Sequence, residues 1–236
     1  MTTRQLPLEL RWPSHQRLDA FLPGGNAAAL QLVRDCAAGC HDAWLFLHGA
    51  HGAGKTHLLI GACRAAMTTG RVARYLPLAS LPAPRAEAIA GAESAGVIAI
   101  DDVQAIAGDD NAERALFDLY NRSREHQATL LFAGSGAPAQ SGFQLPDLVS
   151  RLSACTQCIL KPLDEIGCRA VLRARAEERG MELDDNVLDW LFARQPRDLN
   201  ALIGLFERLD HAALAAQRRI TIPFLREMLA PKNDQP

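Results

Sequence analysis

The segment Gly49-Ala50-His51-Gly52-Ala53-Gly54-Lys55-Thr56 constrains this chain more than any other, because it fits G-x-x-x-x-G-K-[ST] at every position. The pattern needs a strand before it and a helix after it. Trp44–His48 reads as a short apolar strand, and Lys55–Thr69 as a helix closed by Gly70. Between them, Gly49, Gly52 and Gly54 let backbone N–H groups wrap phosphates at the positive end of the helix dipole. Lys55 then reaches the β- and γ-phosphates, and the Thr56 hydroxyl ligates Mg²⁺. His48, His51 and His57 surround the loop as decoration rather than as a metal site, and His57 counts among the nucleotide-contacting positions. Chance matches in a chain of this composition number on the order of 0.001.

Strands and helices alternate on both sides of the loop. Pro23-Gly24-Gly25-Asn26 is a turn, and Ala27–Ala38 a helix ending near Gly39. Val72–Leu76, Val97–Asp101, Thr129–Ala133 and Thr156–Leu160 read as further strands. Arg85–Ala92, Ala112–His126 and Leu145–Leu152 read as the helices between them. Five strands with helical crossovers imply a parallel sheet covered on both faces. After Pro162 the strands stop, and Asp164–Arg179, Asp184–Arg194, Asp198–Gln217 and Pro223–Leu229 read as helices. Asp164 and Asp184 are expected as N-caps, and Gly180 just past a C-terminus. The expected organisation is an extended arm and linker over 1–17, a nucleotide-binding α/β domain over 18–162, and a small all-α lid over 163–236.

Val97-Ile98-Ala99-Ile100-Asp101-Asp102 brings two carboxylates to the end of a strand. Behind a complete phosphate loop, Asp101 is expected to hold Mg²⁺ through water, and Asp102 to polarise the attacking water. The chain has 236 residues, 22% of them charged, with net charge −2. It is long enough to bury a core without disulfides or metal staples, and it lacks the basic excess of a protein that mainly grips DNA. No apolar run approaches a membrane span and no signal-peptide pattern opens the chain, so the expected location is the cytoplasm. Cys155-x-x-Cys158 lies on a core strand and is expected to hold buried thiols rather than zinc. Cys36 and Cys40 are expected to share a helix face.

Beyond the loop, several boxes resemble, in order, the DnaA branch of the AAA+ ATPases. They are Phe21-Leu22-Pro23-Gly24-Gly25-Asn26, Ile100-Asp101-Asp102-Val103-Gln104 with Gly108, Leu116-Phe117-Asp118-Leu119-Tyr120-Asn121, Leu148-Val149-Ser150-Arg151-Leu152 and Gln195-Pro196-Arg197-Asp198-Leu199. The resemblance runs from about Leu18 to Leu229 and implies the AAA+ fold with a helical lid. It also implies residue roles: Arg151 as an arginine finger acting in trans, Arg197 as the sensor-two cation, and Ser135 at the sensor-one place. Within the branch, the likeness is to regulatory members without a DNA-reading helix-turn-helix. The tail Ala216–Phe224 and the arm Gln5-Leu6-Pro7-Leu8-Glu9-Leu10 carry it. Gln5, Leu6, Leu8 and Leu10 keep the spacing of a sliding-clamp-binding peptide, with Glu9 where proline is usual.

The function this implies is an adaptor that holds ADP or ATP with Mg²⁺. It would bind the DNA polymerase III sliding clamp (beta) and make the initiator DnaA hydrolyse its ATP, meeting DNA only through the clamp and no membrane. The intact phosphate loop also fits a DnaC-like helicase-loader ATPase working with Lys55, Asp101 and Asp102. A small-molecule kinase is a third reading, which the lid helices and Arg197 fit poorly.

Overall fold

The central strands are apolar at almost every position, as burial on both faces requires. In the computed structural model, β3 (Val97–Asp101) and β4 (Thr129–Gly134) are buried at every residue. They are flanked by β1 (Leu45–Gly49), β5 (Thr156–Leu160) and β2 (Ala73–Pro77) in the order β2-β3-β4-β1-β5. All pairings are parallel, with Ile98 beside Leu130, Leu45 beside Leu131 and Leu47 beside Cys158. The structure describes residues 12–13, 15–40, 43–181, 183–194, 198–216, 218 and 220–229. These fall into two compact units, one within Met1–Ala50 and Gly54–Leu160, the other within His51–Ala53 and Lys161–Pro236.

In the first unit, α1 (Ala27–Ala38), α2 (Lys55–Thr68), α3 (Arg85–Ala90), α4 (Asp110–Glu125) and α5 (Pro146–Ser153) cover the sheet. α1 ends on Gly39 in the left-handed conformation, so Cys40 leaves the helix and is exposed while Cys36 is fully buried. The two cysteines therefore do not share a helix face. α4 starts earlier than its apolar pattern suggests, because the Asp109 side chain accepts from the backbone of Asn111 and Ala112. Cys155 and Cys158 are buried thiols.

The second unit is all helical: α6 (Glu165–Glu178), α7 (Asp185–Phe192), α8 (Leu199–Ala216) and α9 (Ile222–Leu229). Leu172, Leu188, Phe206, Leu209 and Leu225 lie in its core. Asp164 caps α6 by accepting from Gly167 N, whereas Asp184 stands at the N-cap of α7 without a side-chain capping bond. Arginines of α6 and its C-cap are tied within the unit: Arg169 to Glu165 and Asp189, Arg173 to Asp185, and the C-cap Arg179 to Asp210. Among the described residues, no helix is long and apolar enough to cross a membrane.

Candidate nucleotide site

The strand order brings the site together. Because β1 and β3 both run parallel to the β4 between them, the phosphate loop after β1 and the acidic end of β3 open at the same end of the sheet. Gly49 must be glycine: its φ is +147°, and a Cβ there would stand 2.3 Å from the Leu160 carbonyl oxygen. Gly54 has φ +92°, and a Cβ there would come within 2.6 Å of the Phe21 ring. The Phe21 ring of the lead-in segment is thus packed on the loop.

Lys55 Nζ donates to the carbonyls of Gly49 at 2.7 Å and Ala50 at 2.9 Å, so its ammonium is held over the loop. Burial lowers its pKa from the ordinary lysine value, while Asp101 and Asp102 pull the other way. His48 is lowered too, first by burial and then by the Lys55 charge. Thr56 Oγ1 donates to Asp101 Oδ2 at 2.6 Å. Asp101 is 2% exposed, and burial raises its pKa against the hydrogen bonds that favour its carboxylate.

Two contacts at Asp101 were not legible in the sequence. Tyr75, on β2, donates its hydroxyl to the same Oδ2 at 2.9 Å, and Asp102 N donates to Oδ1 at 2.9 Å. The second bond accompanies a left-handed backbone at Asp102, φ +53°, a conformation that aspartate tolerates better than most residues. The bend starts a 3₁₀ turn (Val103–Ile106) in which Gln104 joins two sequence-derived positions. Gln104 Nε2 donates to Asp102 Oδ1 at 3.2 Å, and its Oε1 accepts from Ser135 N at 3.2 Å.

Lys55, Thr56, Asp101 and Asp102 therefore converge, and Ser135 joins them through its backbone. His57 faces the lead-in segment: its Nε2 is 2.8 Å from the Arg17 carbonyl, and its ring stands edge-on to Phe21 at 5.3 Å. Arg151 is exposed on α5, its guanidinium carbon 6.0 Å from the centre of the Tyr120 ring. Gln5, Leu6, Leu8, Leu10 and Arg197 lie outside the described residues. Among the described residues, no three His, Cys, Asp or Glu side chains gather to hold a metal. The Thr56 hydroxyl and Asp101 carboxylate are hard oxygen donors, which suit Mg²⁺ carrying water and phosphate as its other ligands. Bound there, the ion would neutralise phosphate charge.

Residues 164–229 match the family model described as the lid domain of Hda. The fold as a whole is similar to domain III of the Thermotoga maritima replication initiation protein DnaA. The TM-score is 0.78 at 21% identity, over 92% of this chain and 96% of that one. AMPPCP-bound DnaA from Aquifex aeolicus is similar at TM-score 0.66 and 23% identity, over 87% of this chain and 70% of that one. The Thermotoga maritima RuvB Holliday junction branch migration motor is similar at TM-score 0.66 and 19% identity, over 91% and 72%. What the chain shares with these three solved structures is the fold.

Proposed function

We propose that this AAA+ chain with an Hda lid domain is a negative regulator of DNA replication initiation, an adaptor that makes DnaA hydrolyse its own ATP. The observation that carries this reading is the lid match over residues 164–229, which separates the chain from the general run of AAA+ motors. In this reading the arm over 1–17 binds the sliding clamp through Gln5, Leu6, Leu8 and Leu10. The body over 18–162 holds ADP or ATP with Mg²⁺, and the lid over 163–236 carries Arg197 as its sensor cation. The work is cytoplasmic, and the chain meets DNA only through the clamp.

The geometry supports a division of labour. Gly49, Gly52, Gly54, Lys55 and Thr56 hold the phosphates, and Asp101 orients the metal's water. Ser135 is linked to Asp102 through Gln104, and His57 packs on the lead-in segment. Asp102 keeps the position of a water-orienting carboxylate. Arg151, exposed on a short helix, is free to enter a neighbour's site and stabilise charge on the transferring phosphoryl group. In comparable systems such an arginine is worth about 10³–10⁵ in rate. Clamp tethering raises the local concentration of the adaptor, so modest contacts between bodies suffice.

The test is single-turnover hydrolysis of ATP preloaded on DnaA, with clamp loaded on DNA. Wild type is expected to accelerate it, and Arg151→Ala and Gln5→Ala to lose most of the acceleration. Hydrolysis unchanged by wild type would contradict the proposal.

A further inference from the structure

We propose that Glu113 is a positioning residue for Arg151, a buried carboxylate that fixes the start of the finger helix by its backbone. The inference rests on the finger role given to Arg151 above. Glu113 lies on α4 and is 0% exposed. Its Oε1 accepts from Gly108 N at 2.8 Å and Gln144 N at 3.1 Å. Its Oε2 accepts from Gln144 N at 2.9 Å and Leu145 N at 2.8 Å. All these donors are backbone N–H groups, and two of them belong to the residues that lead directly into α5.

Helix α5 needs such a clamp. It has only eight residues, too short to hold itself in water. Leu145 stands at its N-cap without a capping side chain, and Pro146 at the first position has no N–H to give. At its C-terminal end the Gln157 side chain donates to the Leu152 carbonyl at 2.9 Å; its depth and its start are set otherwise. Leu148 and Leu152, one turn apart, are fully buried and set its depth. Glu113 sets its N-terminal end. Arg151 lies on the exposed face, beside Tyr120, which is itself two turns after Glu113 on α4. One helix thus grips α5 at its start and flanks the guanidinium near its end.

The choice of residue argues the same way. A fully buried carboxylate carries a desolvation cost that an apolar side chain would avoid. Leu116 and Leu119 fill neighbouring buried positions on α4 without it. What a carboxylate adds is a rigid, two-oxygen acceptor for several amides at once. Catalytic groups displaced by about 1 Å can lose about 10²-fold in rate, so the placement of a finger helix reaches the chemistry directly.

The experiment compares wild type, Glu113→Gln, Glu113→Asp and Arg151→Ala in the DnaA hydrolysis assay with clamp on DNA, titrating each protein and normalising to its folded fraction. Glu113→Gln keeps the shape but turns an N–H₂ donor toward backbone donors. Its maximal stimulation is expected to fall at least tenfold, its half-maximal concentration to move less than twofold, and its ADP affinity to stay unchanged. Amide exchange at Gln144 and Leu145 is expected to quicken in the same variant. Glu113→Asp, charged but one methylene short, is expected between the two. Wild-type stimulation by Glu113→Gln, with Arg151→Ala inactive, would overturn the positioning role and leave the finger standing. A loss confined to the half-maximal concentration would overturn it too, since that marks a docking defect. Failure of wild type to stimulate would remove the finger role and this inference with it.

Discussion

Asp101 Oδ2 receives two hydroxyl donors, Thr56 at 2.6 Å and Tyr75 at 2.9 Å. The phenol remains a donor because burial, and then the Asp101 charge, hold its pKa above the ordinary tyrosine value. Tyr75→Phe removes a hydrogen bond to a carboxylate, worth about 1.5–3 kcal/mol, from the group assigned to hold the metal's water. Nucleotide affinity in the presence of Mg²⁺ is expected to fall about tenfold, with a much smaller change for metal-free ADP, by calorimetric titration. Equal losses with and without Mg²⁺ would contradict this. The convergence of Lys55, Thr56 and Asp101 could be read from the sequence because it follows from motif spacing around a parallel sheet. The bonds of Tyr75 to Asp101, of Gln104 to Ser135 and of Glu113 to Leu145 could not, since they join residues 26 to 32 apart. Glu113 did leave a signal: it sits three before Leu116 and seven before Tyr120, a charge on the buried stripe of its helix.

The secondary elements were more legible than their ends. α1, β3 and β5 coincide with their sequence readings, because Gly39, the two aspartates at 101–102 and the turn before Thr156 punctuate them clearly. α4 begins two residues early because Asp109 and Asp110, read as loop, are a cap and a first turn. What binds these elements together was invisible locally. Arg71 donates to the Cys36 and Ala37 carbonyls at 3.0 and 2.9 Å, closing the end of α1. It also donates to the Gly96 carbonyl at 3.1 Å and Thr129 Oγ1 at 2.9 Å, where β3 and β4 start. Arg71→Ala leaves these acceptors without their cation and is expected to cost about 2–4 kcal/mol, as a lower urea midpoint with unchanged slope. A midpoint within error of wild type would show that Arg71 binds nothing of weight.

For the molecule as a whole, burial of thiols ties stability to pH. Cys36, Cys63 and Cys155 are each pushed up by burial from 9.0 to about 12. The folded state therefore holds these protons more tightly than the unfolded chain does. Their contribution is complete below about pH 9 and is lost as pH rises towards 12. Unfolding by urea at pH 7.5 and pH 10.5 is expected to show the loss. In the native state exposed Cys40 is expected to react with a thiol reagent well before the five buried cysteines. The fold itself does not choose a function, since AMPPCP-bound DnaA and the RuvB motor match it equally well, each at TM-score 0.66.

What chooses is whose nucleotide turns over. DnaA preloaded with α-labelled ATP, mixed with this protein preloaded with unlabelled ADP and with clamp on DNA, answers that directly. The regulatory account predicts that the label passes to ADP at least tenfold faster than on DnaA alone, and that Arg151→Ala abolishes the gain. Persistence of the label in ATP, with rapid DNA-stimulated hydrolysis once ATP is supplied to this protein instead, would contradict it and favour the helicase-loader alternative.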